Sequence, residues 1–581
     1  MSDDHPTFMY RLTMLKENFP NIPFYGTLWN GGTDERDFFA TGALNVFLLF
    51  SPLIYSFPIT SIYNLIITLL LFVFFPFSVF LAARLQKFDH LSALLASVLA
   101  ISASFTWYRW ALQYGTLGFV TSCSLMPLNI ALAARYFQSE SIQRPIIWLF
   151  ATLASFSLML LWTPSGLVFI PVILLGLCYL RNLLRHRSFI VLALLMVCIH
   201  LPWIGLFWSV SKVNTFLTPE TIPQSLVIVD DDKYEEERVS IPKAKIEIDL
   251  DYATEILRKA ASSSNFLLFL LTLPGLILFR PHLSKIYLSL LLWLPLLACV
   301  IGPLKPQLEL ERMLVVMAVI AALPAAKGLG SLYHTTRNKL GYLVLAITFG
   351  FLITGIFGAA STVRGRNFIP LYYQQDYVFE LVRDLPELSR GGRLLFSGFV
   401  LHELNQGHIA PLASWSGVPM IASSQVHNLW YYKQVFPMEV IDGGESAREE
   451  YLDIFNVSLV AAHEPYWIKK FRKDSRYTSI KKYGKFWIFA RDNFPESYIY
   501  SGQANITAIK NSSIELKAMS PKIVLRYRYF PWLTSNLCSI RPYRASFDVE
   551  LIELRNCPVG SDVKIQSVSP LTRLKLESAV E

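Results

Sequence analysis

Between Leu44 and Ala359 the chain is a succession of apolar runs separated by short polar connections, and no other feature constrains its fold as strongly. A helix crossing a bilayer needs roughly 20 predominantly apolar residues, and fewer where neighbouring helices shelter its ends. Runs of this kind cover Ile62–Ala83, Leu91–Phe105, Thr116–Ala134, Ile146–Leu161, Gly166–Leu180, Ser188–Ser209, Asn265–Phe279, Ile286–Ile301, Met313–Ala326 and Gly341–Ala359, which predicts about ten spans. Hydrophobic residues make up 53% of the 581 and charged residues only 16%, a balance that excludes an ordinary soluble globular protein. From Ser361 to Glu581 regular charge and turn residues return, so a soluble part follows the membrane part.

Charge gives the orientation, because short cytoplasmic loops hold an excess of Lys and Arg. Alternate connections carry Arg84 and Lys87; Arg135 and Arg144; Arg181, Arg185 and Arg187; Arg280 and Lys285; and Lys327, Arg337 and Lys339. The intervening short connections hold little beyond Arg109, Lys305 and Arg312. Residues 1–61, the loop 210–264 and everything after the last span are therefore expected outside the cytoplasm, in a cell (inner or plasma) membrane. Residues 1–61 would form a first outward loop and an interfacial helix, with no span ahead of them to carry them across. One N-terminal span is then expected upstream; a tail drawn across by the first span is the alternative.

Cys123, Cys178, Cys198 and Cys299 fall in apolar runs, where cysteine acts as a small hydrophobe. Cys538 and Cys557 lie in the outward part, where the compartment permits a disulfide but the spacing does not require one. The acidic "VIVDDDKYEEERVS" of the long loop reads as a solvated segment. Residues 360–497 read as an α/β module: "DYVFELVRDLPELSRGGRLLFSG" is a helix, a Gly-Gly turn and a strand, and "SAREEYLDIFNVSLVAAHE" is a helix then a strand. Residues 498–581 alternate in the manner of a β-sandwich. No Gly-rich fingerprint opens a helix, and His402, Glu403, His408, His427 and His463 match no metal or nucleophile motif. No nucleic-acid partner is expected.

Ionisable residues at the edge of a bundle of spans are costly unless solvated or paired, so three clusters on the outward side stand out. The first is Asp3, Asp4, His5 and Arg11, followed by "IPFYGTLWNGGTDERDFF", whose Trp29-Asn30 turn would pack back on the membrane surface while Asp34, Glu35, Arg36 and Asp37 form a solvated face. The second is "FTWYRWALQYG", with Arg109 among aromatic residues; Trp107 and Trp110 read as an interfacial belt. The third is "GPLKPQLELERML", in which Arg312 either holds a phosphate through paired donors or forms a structural pair with Glu311.

The stretches "DDHPTFMYRL", "IPFYGTLWNGG", "WYRWALQYGTLGFVTSCSLMPLNIAL" and "LELERMLVVMAVIAALPAAKGL" resemble polytopic proteins of the glycosyltransferase C superfold, in particular the membrane family labelled 6-pyruvoyl-tetrahydropterin synthase-related. The C-terminal "IVLRYRYFPWLTS" and "NCPVGSDVKI" are similar to the outward sandwich of bacterial membrane proteins that glycosylate lipoteichoic acid. The resemblance implies transfer of a sugar from a polyprenyl-phosphate donor to a glycan or lipid acceptor. Asp4 would be the base or metal ligand, with Asp3 beside it and Mg or Mn as the divalent ion. His5, Arg11, Trp29, Asn30, Arg109, Glu311 and Arg312 would contact substrate. In the family a histidine often stands where this chain has Phe8, with His5 out of register. A non-catalytic envelope assembly protein on the same scaffold is the competing class, and a transporter the third.

Overall fold

The computed structural model describes residues 5–18, 22–35, 53–104, 107–137, 145–160, 164–177, 190–192, 194–201, 254, 255, 258, 266–302, 308–335, 341–364, 376–397, 410–422 and 436–568. Asp3 and Asp4, Arg36 and Asp37, most of the acidic loop, and His402, Glu403, His408 and His427 lie outside these residues.

Among the described residues, five helices are long and apolar enough to cross a membrane: Ser61–Leu85, Leu117–Tyr136, Pro281–Ile301, Leu310–Thr335 and Gly341–Ser361. Shorter apolar helices occupy His90–Ile101, Ile146–Met159, Ile190–Leu201 and Leu267–Leu278 among the described residues. The run expected as one span over Gly166–Leu180 is divided into Ser165–Val168 and Ile170–Leu177 by a turn at Phe169. The His90–Ile101 helix starts on Asp89, whose carboxylate accepts from the Ser92 amide at 2.9 Å, and ends at the Ser102–Ala103 turn, short of the expected Phe105. Conversely, the helix expected over Met313–Ala326 continues to Thr335, with Pro324 accommodated inside it.

That helix is the axis of the bundle, and most of its side chains from Met313 to Gly330 are buried. It packs closely on Phe266–Leu278 because Gly275 lies directly against the Pro324 carbonyl; a Cβ there would stand 1.7 Å from that oxygen. Gly328 fits the same crossing, 3.3 Å from the Gly275 nitrogen by the same measure, and the Thr272 hydroxyl donates across it to Ala321 O at 3.2 Å. Small residues of this kind let helices approach where lipid offers no hydrophobic drive to pack them.

Beyond the bundle the described residues form a two-stranded sheet, β1 (Tyr25–Gly26) with β2 (Thr33–Asp34), and three larger sheets. A five-stranded sheet has the order β4-β3-β5-β7-β6, from Met420–Ile421, Arg393–Ser397, Val457–Ala462, Phe486–Arg491 and Tyr477–Tyr483. Its β4-β3-β5 part is parallel and its β5-β7-β6 part antiparallel. Asp376–Leu388 and Gly444–Ile454 supply the helices that the sequence places before β3 and β5. Two four-stranded antiparallel sheets follow. One, β12-β15-β10-β9, uses Leu533–Ser535, Asp562–Ser567, Ser513–Ala518 and Ala504–Lys510; the other, β13-β14-β11-β8, uses Ser539–Arg544, Glu550–Arg555, Lys522–Arg528 and Ile499–Ser501. Ile514, Leu516, Ile523, Leu525, Ile552 and Val563 fill the space between them. Cys538 and Cys557 form a disulfide with Cα atoms 4.7 Å apart.

The segment Ile22–Glu35 joins these parts, and it corrects two expectations. Its Trp29-Asn30 turn packs on the sheets and not on a membrane surface: Asn30 N donates to Met420 O and Met420 N to Leu28 O, both at 2.7 Å, so that Trp29 bridges β4 in parallel. The same segment reaches the sandwich, through Thr27 N to Asn511 O at 3.1 Å and the Trp532 indole to Phe24 O at 2.9 Å. Glu35, expected on a solvated face, is fully buried and accepts from the Thr33 hydroxyl at 2.6 Å.

If the Gly275 crossing holds the bundle axis, Gly275→Ala should cost about 1–3 kcal/mol through overpacking. Thermal denaturation of the full chain in detergent checks this against Gly350→Ala, since Gly350 has open space around it. Equal midpoints for the two variants would contradict the packing role.

Candidate functional site

The N-terminal helix α1 (His5–Asn18) begins on a turn made by the second charged cluster. The His5 ring is buried; Nδ1 lies 2.9 Å from the Tyr63 hydroxyl and Nε2 lies 3.3 Å from Leu112 O, so both ring nitrogens are engaged. Gly115 has φ +68, and a Cβ on it would stand 2.7 Å from the His5 nitrogen. Only glycine satisfies both the left-handed backbone and that approach.

Ahead of Gly115, Arg109–Gln113 forms a π-helical turn, a form that concentrates at functional sites. Trp107 is buried, its ring 4.9 Å from that of Phe75, so it is a core residue and not part of an interfacial belt. Trp110 is half-buried and carries the Arg312 guanidinium on its face, 4.4 Å from the ring centroid, with Phe119 on another side of the cation at 5.6 Å. Such stacking contributes about 0.5–2 kcal/mol and keeps the guanidinium plane in one orientation. Arg109 is exposed and donates from Nη2 to the Tyr114 hydroxyl at 3.2 Å.

The carboxylate paired with Arg312 is that of Glu309, one helical turn before it, and not that of Glu311 as the sequence suggests. Glu309 has φ +48, an uncommon backbone state for a non-glycine residue, which turns the chain so that its carboxylate meets the guanidinium. Burial raises the Glu309 carboxyl above its ordinary value although Arg312 pulls it down. Arg312 therefore sits in a partly dry site, partly neutralised and flat on an indole.

Three of the residues expected to carry function, His5, Arg109 and Arg312, thus meet around Trp107–Gly115. Arg11 stands farther along α1, its guanidinium 5.3 Å from the Phe8 ring centroid. Trp29 and Asn30 do not join the cluster. Trp29 is fully buried and donates from Nε1 to Ala410 O at 3.2 Å; Asn30 Oδ1 accepts from Ala422 N at 2.9 Å, and both are placed as joint residues. Glu311 is half-buried beside Arg312. Tyr63 and Tyr114 are not among the residues that the sequence singles out, whereas Glu309 stands with Glu311 and Arg312 in its third cluster. The five-residue step from Arg109 to Tyr114 fits one π turn, and it is the signal that points to Tyr114.

Among the described residues, no three His, Cys, Asp or Glu side chains gather closely enough to hold a metal ion. His5 offers no free ring nitrogen for one, so the described residues do not fit a metal site around α1.

No protein-family model and no curated protein sequence matches the chain. Among solved structures it is similar to the oligosaccharyltransferase of Archaeoglobus fulgidus in the apo form, with 12% identity and a TM-score of 0.46 over 79% of this chain and 66% of that one. It is also similar to the same organism's AglB in complex with an inhibitory peptide and a dolichol-phosphate (12% identity, TM-score 0.45, 80% and 65% of the two chains). A third is the mycobacterial arabinofuranosyltransferase AftD, at 14% identity and TM-score 0.46, covering 87% of this chain and 40% of that one. The chain thus spans just under two thirds of the archaeal enzyme's length and two fifths of the mycobacterial one's.

Gly115→Ala tests the seating of α1. Strain of about 1–3 kcal/mol at that turn should release the helix and raise tryptic cleavage after Arg11 and Lys16 roughly tenfold. Wild-type cleavage rates in the variant would show that α1 is held elsewhere.

Proposed function

We propose that the chain is a membrane glycosyltransferase that moves a sugar from a polyprenyl-phosphate donor to an envelope glycan or lipid. The observation that carries this reading is the meeting of His5, Arg109 and Arg312 on one turn at the end of an apolar bundle, with a large sheet assembly joined to α1 and the segment after it. A lipid-linked donor needs such a place, where its tail lies among helices and its phosphate meets cations at their ends.

In this reading Arg109, whose guanidinium is exposed, meets the donor phosphate. Arg312, stacked over Trp110, sets the position of that indole and adds positive charge beside it, moderated by Glu309. Asp4 immediately precedes His5 in the chain and is the proposed base. As the acceptor oxygen bonds to the anomeric carbon, the bond from that carbon to the phosphate oxygen breaks. The lipid phosphate then leaves with the electron pair, stabilised by the guanidinium, and the hydroxyl proton passes to the Asp4 carboxylate. His5, with both ring nitrogens engaged, acts by holding the start of α1 in place and not as an acid or base.

The Cys538–Cys557 disulfide supports an outward location for the sandwich, since such bonds persist in oxidising compartments. On that placement the sheets 393–567 face the acceptor, and the whole working face lies outside the cytoplasm.

Asp4→Asn removes the proton acceptor at nearly constant shape. Loss of transfer by roughly 10²–10⁴-fold is expected at unchanged protein level, measured as incorporation of sugar into the envelope of cells carrying the variant. Full incorporation would remove Asp4 from the mechanism. The same result with Arg109→Ala as well would favour a non-catalytic role for the scaffold.

A further inference from the structure

The opposite end of the bundle holds a second cluster of cations that the transfer chemistry does not use. A shallow, half-open cleft is lined by Lys87, Arg135 and Arg280, with Ala131, Ala134 and Leu283 as its apolar wall. From Leu117, which follows the Gly115 turn, to Arg135 the helix rises about 27 Å, close to the thickness of a bilayer's hydrocarbon core. The cleft and the Arg109 turn therefore lie at opposite membrane boundaries.

We propose that this cleft binds the phosphodiester headgroup of an anionic phospholipid. None of the three cations forms an ion pair with a carboxylate among the described residues, although they converge on one space. Lys87 holds φ +64 just past the end of its helix, at a place where glycine is the usual residue. A lysine kept there at a conformational cost supplies a cation that glycine would not. Arg280 is the residue before a 16-residue helix, so the unbonded amides and positive dipole end of that helix add to the field.

Two features favour a lipid over a free phosphate. Directly before Arg280, Ile277 is 83% exposed and Leu278 47%, an apolar track on which acyl chains can lie. Gln86, which also lines the cleft and is 9% exposed, donates from Nε2 to the Tyr287 hydroxyl at 2.5 Å, while its Oε1 is buried with no partner. An acceptor beside three cations suits a headgroup that carries a hydroxyl next to its phosphate, as phosphatidylglycerol does. Basic pockets between helices at a membrane face are places where anionic headgroups are held.

The test uses the full chain in mild detergent and native mass spectrometry with phosphatidylglycerol and phosphatidylcholine offered in equal amounts. A preference of roughly tenfold or more for phosphatidylglycerol is expected. It should fall to near parity in Lys87→Gln/Arg135→Gln/Arg280→Gln, and persist in Lys285→Gln, which changes a cation at the same end but outside the cleft. Arg135→Lys/Arg280→Lys keeps the charge and should keep most of the preference, which separates loss of binding from loss of folding. Equal retention of the two lipids by the wild type, or undiminished preference in the triple variant, would overturn the proposal. So would millimolar inorganic phosphate raising the thermal stability of the wild type but not of the triple variant while phosphatidylglycerol raises neither, the mark of a free-phosphate site. Each outcome is independent of sugar transfer.

Discussion

The segment from His5 to Glu35 bears most of the architecture. Its helix is seated on the membrane bundle through Tyr63, Leu112 and Gly115, and the strand-like stretch after it is hydrogen-bonded to both β4 and the sandwich. Glu17 at the end of α1 extends the same link, accepting from the Asn511 amide at 2.5 Å. Among the described residues this stretch of chain ties the bundle to the sheets, and it sets the start of α1 against the charged turn at Trp107–Gly115. Remove that seating and the cations at Arg109 and Arg312 lose their relation to the start of α1.

The energetics at this turn differ from those of a surface ion pair. An exposed pair of charges is worth little, since water and side-chain entropy offset the attraction. Arg312 instead is itself largely buried, with an indole on one side, a phenyl ring on another and the exposed Glu309 carboxylate three residues before it. Its geometry is over-determined, so it serves better as fixed positive charge than as a mobile clamp. Arg109 has an exposed side chain and donates to the Tyr114 hydroxyl, and that exposure suits it to meet an arriving group.

Much of this was legible in the sequence, because hydropathy and charge act over long stretches. The apolar runs located the helices, and the alternation of strand residues located the two sheets of the sandwich. Segment ends were less legible: turns at Ser102 and Phe169 shorten helices within apolar runs that have no obvious stop. The convergence of His5, Arg109 and Arg312 was expected from membrane side alone, but the contacts that make it were not. Glu309 as the partner of Arg312 depends on a positive φ that no local motif announces. Trp29 and Asn30 differ from their expected place for a general reason. A Trp-Asn-Gly-Gly turn has the composition of a binding loop and equally that of a tight joint, and only the partners Ala410, Met420 and Ala422, nearly 400 residues away, decide between them.

The central claim is that a lipid phosphate is received at the Trp107–Gly115 turn. The most direct measurement is photo-crosslinking of the full chain with a polyprenyl phosphate bearing a photoreactive group next to the phosphate, followed by peptide mapping. The account predicts labelling concentrated on residues 107–119 and 308–316, and its loss in Arg109→Ala/Arg312→Ala. Labelling confined to the Lys87, Arg135 and Arg280 end, or unchanged in the double variant, would contradict it.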